Sequence, residues 1–180
     1  MTGGIGAGKS EALRAFARHG AATVSSDEIV HDLLREDGEV LQALETRWGK
    51  GVLGRDGADR AAIARIVFSD ADELAWLEDE LHPRVVREYL AWHERQTTAI
   101  TVAEIPLLYE TGGETHFDKV VAITAPPDVR RERTHVPSDA REQRLIPDEE
   151  KVRRADFAYV NDGTLEELDA FVADVIARLT

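Results

Sequence analysis

The sequence predicts an α/β fold in which helices cover both faces of a parallel β-sheet. Two observations support this fold. A glycine-rich segment at residues 3–10 leads directly into a helical repeat of apolar residues. Later in the chain, short apolar runs alternate with amphipathic helical segments, a pattern typical of right-handed βαβ crossovers. In sheets of this kind, ligands bind at the carboxyl ends of the strands.

Residues 3–10 read GGIGAGKS and match the phosphate-loop spacing G-x-x-x-x-G-K-[ST]. Because glycine tolerates positive φ, successive N–H groups of such a loop form a concave nest for phosphate oxygens. The spacing predicts that Lys9 reaches the β- and γ-phosphates and that the Ser10 hydroxyl ligates Mg²⁺. The helix that follows adds the positive end of its dipole. The candidate nucleotide-binding residues are Gly4, Ile5, Gly6, Ala7, Gly8, Lys9, Ser10 and Glu11.

A chance match in a flexible glycine-rich tail is the alternative interpretation of this loop. The residues after it argue against chance, because Leu13, Phe16 and Ala17 recur at helical spacing. Gly20 then follows as a plausible end of that helix. We therefore interpret the loop as a nucleotide site.

The composition limits the classes of function. A chain of 180 residues with 43% hydrophobic residues can bury one core and carry a small subdomain. Its net charge of −13 argues against a nucleic-acid surface, which needs a basic stripe. No apolar run approaches the ~18 residues of a membrane span, and the lack of cysteine excludes disulfides and thiolate sites. We predict a cytoplasmic protein that binds neither nucleic acid nor membranes.

The strands are predicted from four short apolar runs. These runs are residues 21–26, 99–105, 119–124 and 157–161. The second and third are nearly continuous and apolar, as expected for parallel strands buried on both faces. Helical repeats dominate from residue 27 to about residue 95.

Capping signals bound several of the predicted helices. Asp59 is a candidate N-cap, and Thr164 with Glu167 forms a capping box at the start of a C-terminal helix. Residues 70–96 form a long amphipathic segment that Pro83 should break or kink.

Two carboxylates at strand ends predict phosphoryl transfer. Asp27 and Glu104 lie at or near the carboxyl ends of predicted strands, on the edge where Ser10 also belongs. Such a reaction needs an acidic residue beside the acceptor hydroxyl and a bound metal ion. We expect Asp27 to accept the proton of the acceptor, and Glu104 with Ser10 to hold the metal and its water. The alternatives are a helix N-cap for Asp27 and a solvent-facing strand end for Glu104.

Arginines between residues 130 and 154 form a second candidate group. With Lys9 they supply the local positive charge that an anionic ligand needs in an acidic protein. Arg133, Arg141 and Arg144 are candidates for an arginine that closes over ATP, and Arg141 is taken as the catalytic one. A solvated helix face is the alternative.

Taken in order, these segments resemble the dephospho-CoA kinase family. TGGIGAGKS is similar to its phosphate loop, SSDEIVHDLL to its D-A-D-x-I-x-H segment, and EIPLLYE to its V-P-L-L-F-E signature. ADFAYVNDG resembles its A-D-x-x-I-x-N-x-G region, with weaker D-R, V-F and L-H-P similarities between residues 48 and 83. The common order behind a phosphate loop makes the resemblance specific over nearly the whole chain.

The resemblance implies a P-loop NTPase-like fold of the nucleoside-monophosphate-kinase type. Its nucleotide core would comprise residues 1–27, 97–129 and 151–180, with a helical dephospho-CoA subdomain at 28–96 and a short lid at 130–150. The implied reaction transfers a phosphoryl group from ATP to the ribose 3′-hydroxyl of dephospho-CoA, the last step of CoA synthesis. Asp27 would be the base, and Asn161 and Gly163 would lie beside adenine. The substrate-side candidates are Asp27, His31, Arg60, His82, Leu108, Tyr109 and Glu110.

The chain departs from the family pattern at three places. Ser25 stands where the family has its first Asp, and Glu104 replaces a common Asp. The segment 133–151 is short against the family's arginine-bearing lid.

The start of the chain also differs from what a P-loop fold needs. Only Met1 and Thr2 precede the loop, where the family has a run of apolar residues. An absent central strand leaves neighbouring backbone groups unpaired, at about 1–3 kcal/mol for each. We therefore predict that the first strand is missing and that the natural protein begins several residues upstream.

Three other functions remain open at this point. The nearest is another P-loop kinase that acts on a nucleoside, nucleotide or sugar acid. A GTPase is disfavoured because its D-x-x-G and N-K-x-D motifs are absent from the sequence. A CoA-binding module without turnover gains some support from Ser25 and the short start.

Overall fold

The computed structural model describes residues 1–134 and 145–180, which divide into two compact units. The first unit comprises Met1–Ser25 and Gln96–Thr180, and the second comprises Ser26–Arg95. Within the described ranges, no helix combines the length and apolar character needed to cross a membrane.

Fourteen helices and strands are labelled in chain order within the described residues. The elements before the second half of the chain are α1 (Lys9–Arg18), β1 (Ala22–Ser25), α2 (Ser26–Glu36), α3 (Gly38–Trp48), β2 (Leu53–Gly54), β3 (Gly57–Ala58), α4 (Arg60–Val67) and α5 (Ala71–Glu94). They are followed by β4 (Thr101–Glu104), β5 (Val121–Thr124), α6 (Pro127–Arg133), α7 (Asp148–Arg154), β6 (Phe157–Val160) and α8 (Leu165–Leu179). Short 3₁₀ turns lie at Lys50–Val52 and Gly113–His116.

The first unit contains a parallel sheet. Strand β1 pairs with β4, and β5 pairs with β6, both in parallel. Residues Met1 and Thr2 lie between these two pairs. Four backbone hydrogen bonds hold them there: Met1 N to Ala103 O (2.6 Å), Ile105 N to Met1 O, Thr2 N to Val121 O and Ile123 N to Thr2 O (2.9 Å each). The order across the sheet is therefore β1, β4, Met1–Thr2, β5, β6.

The α/β fold with a parallel sheet is confirmed, and the structure shows what holds the place of its first strand. Two residues satisfy backbone groups on both neighbouring strands, so the expected gap in the middle of the sheet is bridged at this point. Their side chains are buried, with Met1 6% and Thr2 0% exposed. The upstream start stays a prediction.

The Met1 amino group titrates under the influence of burial. In the 180-residue chain with a free amino terminus, burial lowers the pKa of this group from 8.0 to about 5, and the charge of Glu104 opposes part of that shift. Between about pH 5 and pH 8 the amino group is therefore protonated in the unfolded chain and neutral in the folded chain. The unfolded state therefore holds more protons in this window, and stability rises with pH.

We expect the free energy of unfolding to increase by about 4 kcal/mol from this group between pH 5 and pH 8. Urea unfolding across this window should be compared with the same chain acetylated at Met1, which has no ionisable amine. The difference between the two chains isolates the amine from all carboxylates. Identical pH dependence in the two chains would show that the amine keeps its ordinary pKa.

The core of the first unit lies between the sheet and helices α1 and α8. Its buried side chains include Phe16 of α1, Ile123 of β5 and Val172 and Val175 of α8. The capping box that begins α8 is confirmed, since Thr164 Oγ1 accepts from Glu167 N and Glu167 Oε2 accepts from Thr164 N. The four predicted strands are also confirmed, each slightly shorter than its apolar run.

The second unit is helical and has its own core. Leu33, Leu44, Ile63 and Leu81 are among its buried side chains, contributed by α2, α3, α4 and α5. Helix α4 is capped by Asp59, as predicted. A short hairpin of β2 and β3, which the sequence pattern did not predict, lies between α3 and α4.

Pro83 does not break helix α5. The helix is continuous from Ala71 to Glu94, so of the two predicted effects the break is wrong, and the kink stays a prediction. Leu77 and Leu81 are buried just before the proline, and this packing offsets the lost N–H donor. The carbonyl oxygen of Glu80, in the same turn as the proline, accepts from the guanidinium of Arg84 at 2.7 Å.

Candidate active site

The glycine-rich segment forms a loop that opens directly into helix α1. Gly6 and Gly8 have φ of 76° and 94°, in the region that favours glycine. Gly8 is the N-cap of α1, and its carbonyl oxygen accepts from Glu11 N at 3.1 Å and Ala12 N at 3.0 Å. These bonds start the helical hydrogen-bond pattern at Gly8, so the loop lies at the N-terminus of α1, where the helix dipole favours an anion.

Lys9 curls back across this loop. Its ammonium group donates to the carbonyl oxygen of Gly4 at 3.1 Å and lies 3.7 Å from Glu104 Oε1. The side chain is 11% exposed, so the charge is held inside the loop and not in open solvent. This position is suited to a triphosphate that enters the loop.

Glu104 is buried at the carboxyl end of β4. It is 4% exposed, so the alternative of a solvent-facing strand end is wrong. Ser25 is its register partner on β1 and donates from Oγ to Glu104 Oε2 at 2.7 Å. One carboxylate oxygen is thereby fixed by a hydroxyl, while the other faces Lys9.

The protein supplies two oxygen donors for Mg²⁺ at this edge. Ser10 is exposed in the first turn of α1, and Glu104 supplies a carboxylate. Within residues 1–134 and 145–180, no group of three or more acidic or histidine side chains is placed to hold a metal. Mg²⁺ commonly uses one or two protein oxygens and takes its other ligands from substrate phosphates and water. The donor set therefore fits a metal that arrives with a nucleotide.

Helices α6 and α7 border the other side of the loop. A Cβ at Gly4 would lie 2.6 Å from an Arg130 guanidinium nitrogen, and a Cβ at Gly6 would lie 2.8 Å from the Thr134 methyl group. Arg130 also lies 3.8 Å from a carboxylate oxygen of Asp148. Glycine is needed at Gly6, where φ is 76° and the backbone oxygen of Arg130 would lie 3.0 Å from a Cβ, whereas at Gly4 the close atoms are the ends of flexible side chains.

A cavity of about 410 Å³ opens beside these helices. Its apolar wall includes Pro126, Ile146 and Val160, and its charged wall includes Arg130 and Asp148. Because Arg130 also lies against Gly4, the cavity adjoins the phosphate loop.

Asn161 follows β6 and reaches the phosphate loop. Its side-chain amide donates to the carbonyl oxygen of Ala7 at 2.8 Å, and its own carbonyl oxygen accepts from Arg133 at 3.0 Å. Gly163 lies two residues later, where a Cβ would be 1.9 Å from Glu167 Oε2 of the capping box.

A family model and the relatives of this chain indicate the same protein family. The family model for dephospho-CoA kinase matches residues 1–167. A dephospho-CoA kinase of Mesorhizobium japonicum is 38% identical over 190 residues, covering 99% of this chain and 94% of the relative. Another, of Protochlamydia amoebophila, is 35% identical over 191 residues, covering 99% of this chain and 94% of the relative. The chain belongs to the dephospho-CoA kinase family.

Solved structures agree with this membership. The crystal structure of TT1252 from Thermus thermophilus superposes with a TM-score of 0.83 at 33% identity, covering 99% of this chain and 95% of the other. A dephospho-CoA kinase from Campylobacter jejuni has a TM-score of 0.72 at 26% identity, covering 99% and 94% of the two chains. The predicted P-loop NTPase-like fold is that of dephospho-CoA kinases.

The family signature EIPLLYE lies in a buried part of the first unit. Leu108 is 1% exposed and Tyr109 is 6% exposed, and burial raises the pKa of the Tyr109 phenol. Arg154 stacks over the Tyr109 ring at 4.2 Å from its centroid. These contacts give both residues a packing role, and their contact with dephospho-CoA stays a prediction.

Glu110 of the same signature pairs with a lysine that sequence reasoning missed. Lys151 is 0% exposed, and its Nζ lies 3.0 Å from Glu110 Oε1. The two atoms are not aligned for a hydrogen bond, so the contact is an ion pair. Glu110 Oε1 also accepts from Ile146 N at 2.9 Å. In the sequence, Lys151 stands in a run of charges that is typical of a solvated helix face, and nothing local signals its burial.

The remaining candidates in the second unit are exposed. Helix α2 begins at Ser26, so Asp27 lies inside its first turn. His31 lies on the same helix, Arg60 is the first residue of α4, and His82 lies on α5. Their proposed contacts with substrate stay predictions.

Four other candidates were predicted for the nucleotide side. Glu11 is held by Arg18, and a hydrogen bond from that guanidinium lowers the pKa of the Glu11 carboxyl, with Arg14 adding to the effect. Arg133 ends α6, while Arg141 and Arg144 lie outside the described residues.

Proposed function

We propose that this chain transfers the γ-phosphoryl group of ATP to the ribose 3′-hydroxyl of dephospho-CoA, giving CoA and ADP. The observation that carries the proposal is the phosphate loop with Lys9 held inside it, in a member of the dephospho-CoA kinase family. Action on another nucleoside, nucleotide or sugar acid is not favoured, because the relatives that match almost the whole chain are named dephospho-CoA kinases.

The loop and Lys9 bind the triphosphate in this proposal. The N–H groups at the start of α1 face the phosphate oxygens, and Lys9 exchanges its contacts with Gly4 and Glu104 for the β- and γ-phosphates. Arg130 adds positive charge from the cavity that adjoins the loop. Phosphoryl transfer depends mainly on such positioning and neutralisation of charge.

Ser10 and Glu104 would hold Mg²⁺ in the loaded enzyme. The ion would neutralise charge on the β- and γ-phosphates. Ser25 keeps the Glu104 carboxylate in one orientation through its hydrogen bond, which supports a defined ligand direction. The Asp of the family pattern is thus replaced here by a hydroxyl that orients the remaining carboxylate.

The acceptor side of the proposal rests on Asp27. Its carboxylate accepts the proton of the 3′-hydroxyl while that oxygen bonds to the γ-phosphorus and the bond to the β–γ bridging oxygen breaks. ADP leaves with the bridging oxygen. The proposed substrate-side residues are His31, Arg60, His82, Leu108, Tyr109 and Glu110, and Arg141 is the proposed arginine that closes over ATP. The cytoplasmic location is retained as part of the proposal.

A coupled assay of ADP release tests the function. Dephospho-CoA should stimulate ADP release in the presence of ATP and Mg²⁺, whereas AMP, adenosine and gluconate should leave it near the background rate. Faster release with one of the latter compounds would support another kinase. Nucleotide binding without release on any acceptor would support a binding module without turnover.

A further inference from the structure

Asn161 is buried at a junction of three segments. It is 5% exposed, and its backbone N–H donates to the carbonyl oxygen of Thr124, at the end of β5, at 2.7 Å. Its side-chain amide donates to the Ala7 carbonyl oxygen in the phosphate loop at 2.8 Å. Arg133, the last residue of α6, donates to the Asn161 carbonyl oxygen at 3.0 Å. The residue therefore joins the sheet edge and α6 to the loop.

The hydrogen bond to Ala7 fixes one peptide plane of the loop. The peptide between Ala7 and Gly8 is planar and trans, so its C=O and N–H point in opposite directions. Because the carbonyl oxygen of Ala7 points at Asn161, the N–H of Gly8 must point away from it. Gly8 is the N-cap of α1, and N–H groups at such a position bind phosphate oxygens.

The loop leaves room for this contact at Gly8 itself. A Cβ at Gly8 would lie 2.1 Å from the side-chain nitrogen of Asn161, a distance that no side chain accepts. Gly8 thus serves two purposes, since it adopts a φ of 94° and it lets the asparagine amide approach the backbone.

We propose that Asn161 is a positioning residue for the phosphate loop, which orients the Ala7–Gly8 peptide so that the Gly8 N–H faces the bound phosphates. This inference rests on the proposed function, because it concerns the same nucleotide site. A positioning role affects binding of the polyphosphate, whereas a contact between Asn161 and adenine would affect binding of the base. Loss of a loop-positioning residue weakens every ligand that carries the polyphosphate, whereas loss of an adenine contact weakens only ligands that carry the base.

Calorimetric titration with two ligands separates these roles. ATP and inorganic tripolyphosphate, each with Mg²⁺, should be titrated into the wild-type protein and into Asn161→Ala and Asn161→Asp. Asn161→Ala removes the donor, and Asn161→Asp keeps the shape but turns a carboxylate oxygen toward the Ala7 carbonyl oxygen. Asp162→Asn, at an exposed neighbouring position, is the matched control.

We expect both Asn161 variants to bind ATP and tripolyphosphate roughly 10- to 100-fold more weakly, by a similar factor for the two ligands. Titrations should be run below the unfolding temperature of the least stable variant, so that loss of fold does not contribute. Unchanged affinity for tripolyphosphate with weaker ATP binding would overturn the inference in favour of an adenine contact. Unchanged affinity for both would also overturn it. Failure of the folded wild-type protein to bind ATP would instead refute the proposed function, and the inference with it.

Discussion

Replacing Lys9 with alanine is expected to lower kcat/KM for ATP by about a hundredfold or more. The ammonium group lies within the loop, 3.1 Å from the Gly4 carbonyl oxygen and 3.7 Å from Glu104 Oε1. In the proposed reaction, an ammonium group at that position would stabilise the charge that builds up on the β- and γ-phosphates during transfer, in a site where solvent screens little. Alanine removes this charge and leaves the loop backbone intact.

The matched control is Lys50→Ala, because that lysine side chain is 90% exposed and its ion pair with Glu45 spans 3.9 Å. It should keep wild-type kinetics. Lys9→Met serves as a second variant that retains the apolar part of the side chain, so that a loss shared by Ala and Met reports on charge alone. The measurement is steady-state ADP release at varied ATP. A Lys9→Ala enzyme with nearly full kcat/KM would refute the assigned role.

The parts of the site that are local in sequence could be predicted well. The phosphate loop, the start of α1 at Lys9 and the caps at Asp59 and Thr164 each depend on residues within a few positions of one another. The centres of the strands could be predicted equally well, because buried parallel strands are continuous apolar runs. The family followed from the order of such local motifs.

Contacts between distant residues could not be predicted. Asn161 and Ala7 are 154 positions apart, and no periodic pattern links an asparagine after a strand to one carbonyl group in a loop. The pairing of Lys151 with Glu110 is a similar case, since a buried lysine is rare enough that a charge run suggests the surface. Ser25 is a third, because only strand register places it opposite Glu104.

The sheet shows how two residues pair at the place of the missing first strand. The prediction rested on the run of apolar residues that the family has before its phosphate loop, where this chain has only Met1 and Thr2. Met1 and Thr2 meet the requirement at one position with four backbone hydrogen bonds, two to each flanking strand segment. Each backbone N–H and C=O group in a sheet needs a partner whatever its side chain, so two residues are enough for the groups that face them.

Asp27→Asn is expected to lower kcat by about 10²- to 10⁴-fold while ATP affinity changes little. The side chain is exposed in the first turn of α2. Asparagine is isosteric but does not accept the acceptor proton, so the loss should fall on the chemical step and not on the phosphate loop.

The control for this variant must also match its effect on the helix. A carboxylate in a first turn stabilises the helix dipole by about 0.3–1 kcal/mol, and Glu28 occupies the same turn. Glu28→Gln therefore removes a comparable charge without touching the proposed base, and it should retain wild-type kcat. Binding of ATP by calorimetry and turnover with dephospho-CoA should be measured on both variants. If Asp27→Asn lost ATP affinity and kcat by the same factor, Asp27 would organise the metal and nucleotide, because a base acts only on the acceptor.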